Sequence, residues 1–160
     1  MGGTIRRTVE FGLRLTYRLR WLAPLLMRLF LGYFFLETGW GKIHNLDAFT
    51  QRFIGWGIPH PAFNAALSAY TEFIGGALTI VGLFTRAISI PMIINMAVAV
   101  LTVKIKQVGG LNDFVELDEP LYALGFFWLM MAGPGAVSLD YLLERFLKLA
   151  GWSESKPDES

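Results

Sequence analysis

The sequence predicts an all-α fold, a four-transmembrane-helix bundle with an amphipathic interfacial helix at its N-terminus. Four long apolar runs divide the 160-residue chain. Hydrophobic residues make up 54% and charged ones 17%, against about 45–50% and about 25% in soluble domains, and mean hydropathy is +0.46. Five of the fourteen Lys/Arg precede residue 21, three of them recurring on one helical face.

In that first segment, 1–20, Arg7, Glu10, Arg14 and Arg18 recur on one face and Ile5, Val9, Leu13 and Tyr17 on the other. Such a basic amphipathic helix lies on a membrane surface and is drawn to anionic lipid. A cleavable signal peptide is not expected, because the next apolar run is too long and lacks a small-residue cleavage site.

The membrane domain is predicted over 21–143, with spans at 21–41, 62–84, 87–103 and 120–139. A span takes about 20 apolar residues, with about 17–25 tolerated. Each must be helical, since lipid offers an open backbone no partners. Trp21 and Trp40 bracket the first run, and Tyr122 and Tyr141 the fourth, as interfacial aromatics do. Pro61 and Pro120 open the second and fourth runs, where a missing N–H costs nothing. Little more than Thr85 and Arg86 joins the second run to the third, so these two form a tight hairpin. Pro91 is expected to kink the third.

The loop 42–60 places Phe49, Phe53 and Trp56 at helical spacing, a short amphipathic helix ended by Gly55 and Gly57. The loop 104–119 turns at Gly109 and Gly110 and carries Asp113, Glu116, Asp118 and Glu119. The tail 144–160 is polar, and disorder is expected beyond Trp152. There is no internal repeat. Orientation follows from Lys/Arg placement. Nine lie on the side of the termini and the Arg86 turn, and four in the other two loops. A multi-pass protein of the cell (inner) membrane with both termini cytoplasmic is the expectation.

The absence of cysteine excludes disulfides, thiol catalysis and thiolate-held clusters from this chain. The two histidines, His44 and His60, both lie in the first loop, so no intramembrane haem ligand exists. With Asp47 they match no metal-site spacing, and no metal is expected. No phosphate loop or dinucleotide fingerprint occurs. A net charge of +1 gives no field to recruit nucleic acid.

Ionisable groups within a membrane cost about 2.5–3.5 kcal/mol on insertion scales and usually mark function. Arg28, Glu37 and Glu72 qualify. Glu72 shares its face with Ser68, Gly75, Gly76 and Thr79, small enough for close helix approach. Arg28, Gly32, Phe35, Gly39 and Lys42 form a matching stripe with a cation at each end. Docking the stripes sets Glu72 between Arg28 and Lys42 in height, roughly 10 Å from each. Glu72 is then either an ion pair that locks two helices or a ligand or proton site. Asn95 and Trp128, at mid-depth in the third and fourth runs, line the same cavity or bond a neighbouring helix. Glu37, opposite Arg28 on its helix, snorkels to the outer boundary.

Taken in order, these features resemble the DoxX family of small four-helix membrane proteins over about 25–143. The residues that carry the resemblance are Arg28, Gly32, Gly39 and Lys42, then Gly57-Ile58-Pro59, Glu72, Gly75 and Gly76, GLFTR at 82–86, and GPGAVSLD at 133–140. One departure is Lys104, where many members carry a histidine or other polar group. The resemblance implies a membrane subunit of a redox or stress-response assembly. Some relatives are subunits of thiosulfate:quinone oxidoreductases, and others are membrane parts of complexes handling thiol and superoxide stress. The chain has no electron carrier of its own, so a redox role needs a quinone, a partner protein, or both. The polar pocket for a quinone would be Arg28, Lys42 and Glu72, with Asn95 and Trp128. The alternative is a scaffold, assembly factor or small-solute carrier in which Glu72 only locks helices. Lipid bilayer, redox partner proteins and further copies of the chain are the partners to expect.

Overall fold

The computed structural model describes residues 2–105 and 108–149. In chain order these form α1 (Gly2–Leu19), α2 (Leu22–His44), α3 (Leu46–Gly55), α4 (Pro61–Val81), α5 (Thr85–Ala99), α6 (Leu111–Val115), α7 (Asp118–Ala132) and α8 (Leu139–Leu149). A π-helical segment, Val100–Lys104, extends α5. Among the described residues there is no strand.

α2, α4, α5 and α7 make the bundle. α2 and α4 run antiparallel in backbone contact, because a Cβ on Gly39 would strike Phe73 and one on Gly76 would lie 2.7 Å from the Gly32 carbonyl oxygen. Gly32 packs on Ile80 in the same interface. Gly75, one residue before Gly76, meets Met92 of α5 instead, so two adjacent glycines serve two helix contacts. Leu31, Phe35, Met92, Met96, Phe126 and Leu129 fill the space among α2, α5 and α7. Phe35 lies against Tyr122 and Phe126, with ring centroids 5.4 and 5.3 Å away.

The short helix expected in the first loop is α3. Phe49 and Phe53 bury against Ala65 and Ala69 of α4, so α3 roofs one end of the bundle. α1 is helical over the expected amphipathic segment and leaves Val9, Phe11, Leu13 and Tyr17 exposed. Its Arg6 pairs with Glu10 one turn on, at 2.8 Å.

Two helices, Leu22–His44 and Thr85–Lys104, are long and apolar enough to cross a membrane by length and composition. α4 has the length but carries Glu72 within it. The fourth run departs most from expectation. Helix was predicted over 120–139, whereas α7 stops at Ala132. Gly133 and Gly135 adopt φ +80 and +82 around Pro134, which ends the helix. Its 15 residues span about 22 Å. The segment beyond 139 resumes as α8, whose Leu142, Leu143, Phe146 and Leu147 recur at helical spacing, so the first residues of the expected polar tail are amphipathic helix. Lys148 there is raised above the usual lysine range by its hydrogen bond to Glu144. α5 runs past Pro91 without a break in helix. The expectation for the tail beyond Trp152 falls outside the described residues.

Candidate functional site

Glu72 is the centre of the polar interior. It is 3% exposed and gathers donors from two neighbouring helices. Lys42 Nζ of α2 donates at 2.5 Å to its carboxylate. Thr38 Oγ1, one turn before Lys42, donates to Oε2 at 3.2 Å. Asn95 Nδ2 of α5 donates to Oε1 at 3.0 Å. The Lys42 ammonium also stands 5.2 Å over the Phe49 ring of α3, a cation–π contact that ties the roof helix to the pair. One carboxylate thus holds α2, α4 and α5 together.

Arg28, expected beside Glu72, lies elsewhere. Gly39 sits opposite Phe73, so Glu72 falls level with Gly39, and Arg28 is eleven residues, about 16 Å, further along α2. The two stripes dock about one turn out of the assumed register because the glycine contacts, not the charges, set it. Trp128 is a second correction. It is 38% exposed and lies outside the core cluster of α7, which instead buries Gly125, Phe126 and Leu129.

Arg28 organises a separate network at the opposite end. It is 2% exposed. Its Nη1 donates to the Pro134 carbonyl at 2.7 Å and its Nη2 to the Ile80 carbonyl at 3.3 Å. A Cβ on Gly82 would strike the guanidinium, so Gly82 is small because Arg28 fills its space. Asp140 completes the network. Its carboxylate accepts from the Phe84 N–H at 2.7 Å and the Thr85 N–H at 2.9 Å, capping α5 from a distance as an N-cap side chain would. Its own N–H donates to the Gly82 carbonyl at 2.9 Å. Arg86 Nη1 donates to the Met130 carbonyl at 3.1 Å. GLFTR and GPGAVSLD are therefore two halves of one structure.

Sequence reasoning missed Thr38, Arg86 and Asp140 as parts of these networks. Thr38 was legible, one turn before Lys42 on the inner face. Asp140 carried no local signal, since the helix it caps lies 55 residues away. At the far end of α5, Lys104 pairs with Glu119 at 3.4 Å, so the position that departs from the family pattern holds α5 to α7.

Among the concavities that open on the described residues, two of the best formed lie away from Glu72. One, of about 610 Å³, is lined by Leu26, Leu29, Phe30, Tyr33, Phe34, Glu37 and Ile80. The other, of about 470 Å³, lies among Phe84, Arg86, Gly133, Asp140 and Tyr141. Among the described residues no group of histidine and carboxylate side chains could hold a metal ion.

Comparison with known proteins gives one family. The DoxX family model matches residues 23–105. An uncharacterized membrane protein of Mycobacterium tuberculosis is 32% identical over 130 residues, covering 74% of this chain and 80% of that protein. The inner membrane protein YqjF of Escherichia coli is 27% identical over 121 residues, covering 76% and 92%. CatD of Bacillus subtilis, named as a candidate oxidoreductase, is 33% identical over 85 residues, covering 53% and 62%. No solved structure matches.

Proposed function

The chain belongs to the DoxX family of membrane proteins, and from that premise we propose that it is a non-catalytic membrane subunit of a redox assembly. In this role Glu72 is a clamp between helices and not a ligand site. The observation that carries this is the saturation of Glu72. Lys42, Thr38 and Asn95 of its own chain occupy both carboxylate oxygens. A group poised to take a ligand or shuttle protons keeps an open position or a path to one, and neither concavity touches this carboxylate. The redox half of the proposal draws on the relative named as a candidate oxidoreductase.

The resemblance also implies a quinone. In the bundle interior its carbonyl oxygens would need Lys42 and Asn95 as donors, and both are already engaged with Glu72. Arg28 donates through Nη1 and Nη2 to the carbonyls of Pro134 and Ile80, while its buried Nε has no hydrogen-bond partner. The donors around Glu72 are thus committed to the carboxylate, and the proposal gives a quinone no place there. α2, α4, α5 and α7 traverse the bilayer in this account, with both termini cytoplasmic. The two apolar helices of sufficient length and the Lys/Arg asymmetry support that placement.

The test is purification from native membranes in mild detergent, followed by mass spectrometry of bound proteins and lipids, for the parent chain and for Glu72→Gln. Partner polypeptides in fixed ratio are expected, with the electron carrier on the partner. A quinone retained near one per chain, and lost in a Glu72→Gln protein of unchanged helicity, would make Glu72 a ligand site and overturn the clamp.

A further inference from the structure

α2 turns Arg28, Leu31, Phe35 and Gly39 into the bundle. On its opposite face Leu26, Phe30, Tyr33, Glu37 and Trp40 follow at alternating spacings of four and three, and all are exposed. That is the heptad spacing of a helix–helix seam. A concavity of about 610 Å³ runs along it, flanked by Phe34 and Ile80 and holding Glu37.

The other bundle helices also turn large apolar side chains outward, Ile90, Ile94 and Val98 on α5, Leu121, Leu124, Trp128 and Met131 on α7, and Phe63, Leu67, Tyr70 and Ile74 on α4, and what sets the α2 face apart is its carboxylate. Those surfaces suit hydrocarbon. Glu37 puts a carboxylate on α2's outward face, one turn inside the interfacial Trp40. Its helical neighbours at three and four residues are Tyr33, Phe34, Trp40 and Gly41, and none is cationic. Among the described residues Glu37 is in no ion pair, so a docked partner can supply its counter-charge.

We infer, resting on the subunit reading above, that this seam docks a transmembrane helix of a different membrane protein, and that this helix offers a lysine or arginine at the depth of Glu37. Charge complementarity selects that occupant. A second copy related by a two-fold axis along the membrane normal would set the same patch on itself. Glu37 would then face Glu37, and like charges in a low-dielectric contact repel. Lipid alone would leave the carboxylate to snorkel to the outer boundary without an ion pair.

A photo-crosslinking residue at Phe30, with a control at Ile94 on α5, tests this in the membranes of the native host. Crosslinked peptides are mapped by mass spectrometry. The Phe30 probe should capture a transmembrane segment of another protein with Lys or Arg about two turns from the crosslink, at the depth of Glu37. Glu37→Lys should cut its yield by about tenfold or more, since like charges across an interface cost several kcal/mol. Reversing the partner's cation to Glu should restore it. Capture of a second copy, of lipid only, or of a segment without a base overturns the inference, as does a yield indifferent to Glu37→Lys. If Ile94 captures a partner and Phe30 does not, the subunit reading stands and the docking surface is wrong. If neither captures protein, both are wrong.

Discussion

Removing Lys42 should cost more than neutralising Glu72, and the second change should repair part of the first. In Lys42→Met the carboxylate stays 3% exposed, with only Thr38 and Asn95 as neutral donors. Orphaning one partner of a buried pair costs about 3–5 kcal/mol. Glu72→Gln loses a charge-assisted bond worth about 1.5–3 kcal/mol. Lys42, however, is 30% exposed and can carry its ammonium to the headgroups, so the net loss is about 1–2 kcal/mol after that relief. In the double variant the new side-chain amide still accepts from Asn95, and no charge is left unpaired. Adding Glu72→Gln to Lys42→Met should therefore restore about 2 kcal/mol, a coupling that contacting residues show and distant ones do not. The assay is reversible unfolding in mixed micelles titrated with denaturing detergent, followed by helicity. Additivity within about 0.5 kcal/mol, or equal losses in the two single variants, would refute the clamp.

Three further outcomes are expected. Asp140→Ala removes both cap bonds on α5; it should cost about 1–2 kcal/mol and speed hydrogen exchange at the Phe84 and Thr85 amides, and unchanged exchange would exclude the cap. Gly76→Leu drives a side chain into the backbone of Leu36 and Gly32. It should cost about 3 kcal/mol or more and yield little monodisperse protein, whereas Gly12→Leu meets nothing within 4 Å and should be silent. Reporter fusions at Asp47 and Asp113 should both lie on the outer side, and a cytoplasmic signal from either would reject the four-span topology.

Periodicity along one helix was readable, and geometry between helices was not. The spacing of Phe49 and Phe53 foretold α3, and the Gly32/Gly39 and Gly76 stripes foretold a close α2–α4 contact. Arg28 was placed beside Glu72 because stripe matching fixes faces but leaves register open. Steric exclusion at Gly39 and Gly76 sets that register, and it sends Arg28 to the other end. Hydropathy likewise carried the fourth run past Ala132, since it cannot register the positive φ of Gly133 and Gly135. Thr38 shows the reverse case, a donor on the predicted face that no charge drew attention to.

The placement of the interior charges narrows where function can reside. Lys42 is held by Glu72 at one end of α2 and Arg28 by carbonyls of Ile80 and Pro134 at the other. Glu72 and Arg28, the ionisable groups that looked functional because they were buried, are both engaged by the fold itself, Arg28 through Nη1 and Nη2 with its Nε unpartnered. Glu37 differs from them in having no cation among its helical neighbours and in facing outward with a seam of large side chains. Among the described residues Glu37 is in no ion pair, and an ionisable group within a membrane helix usually marks function. On the subunit reading proposed above, the outer face of α2 is then where a partner is to be sought.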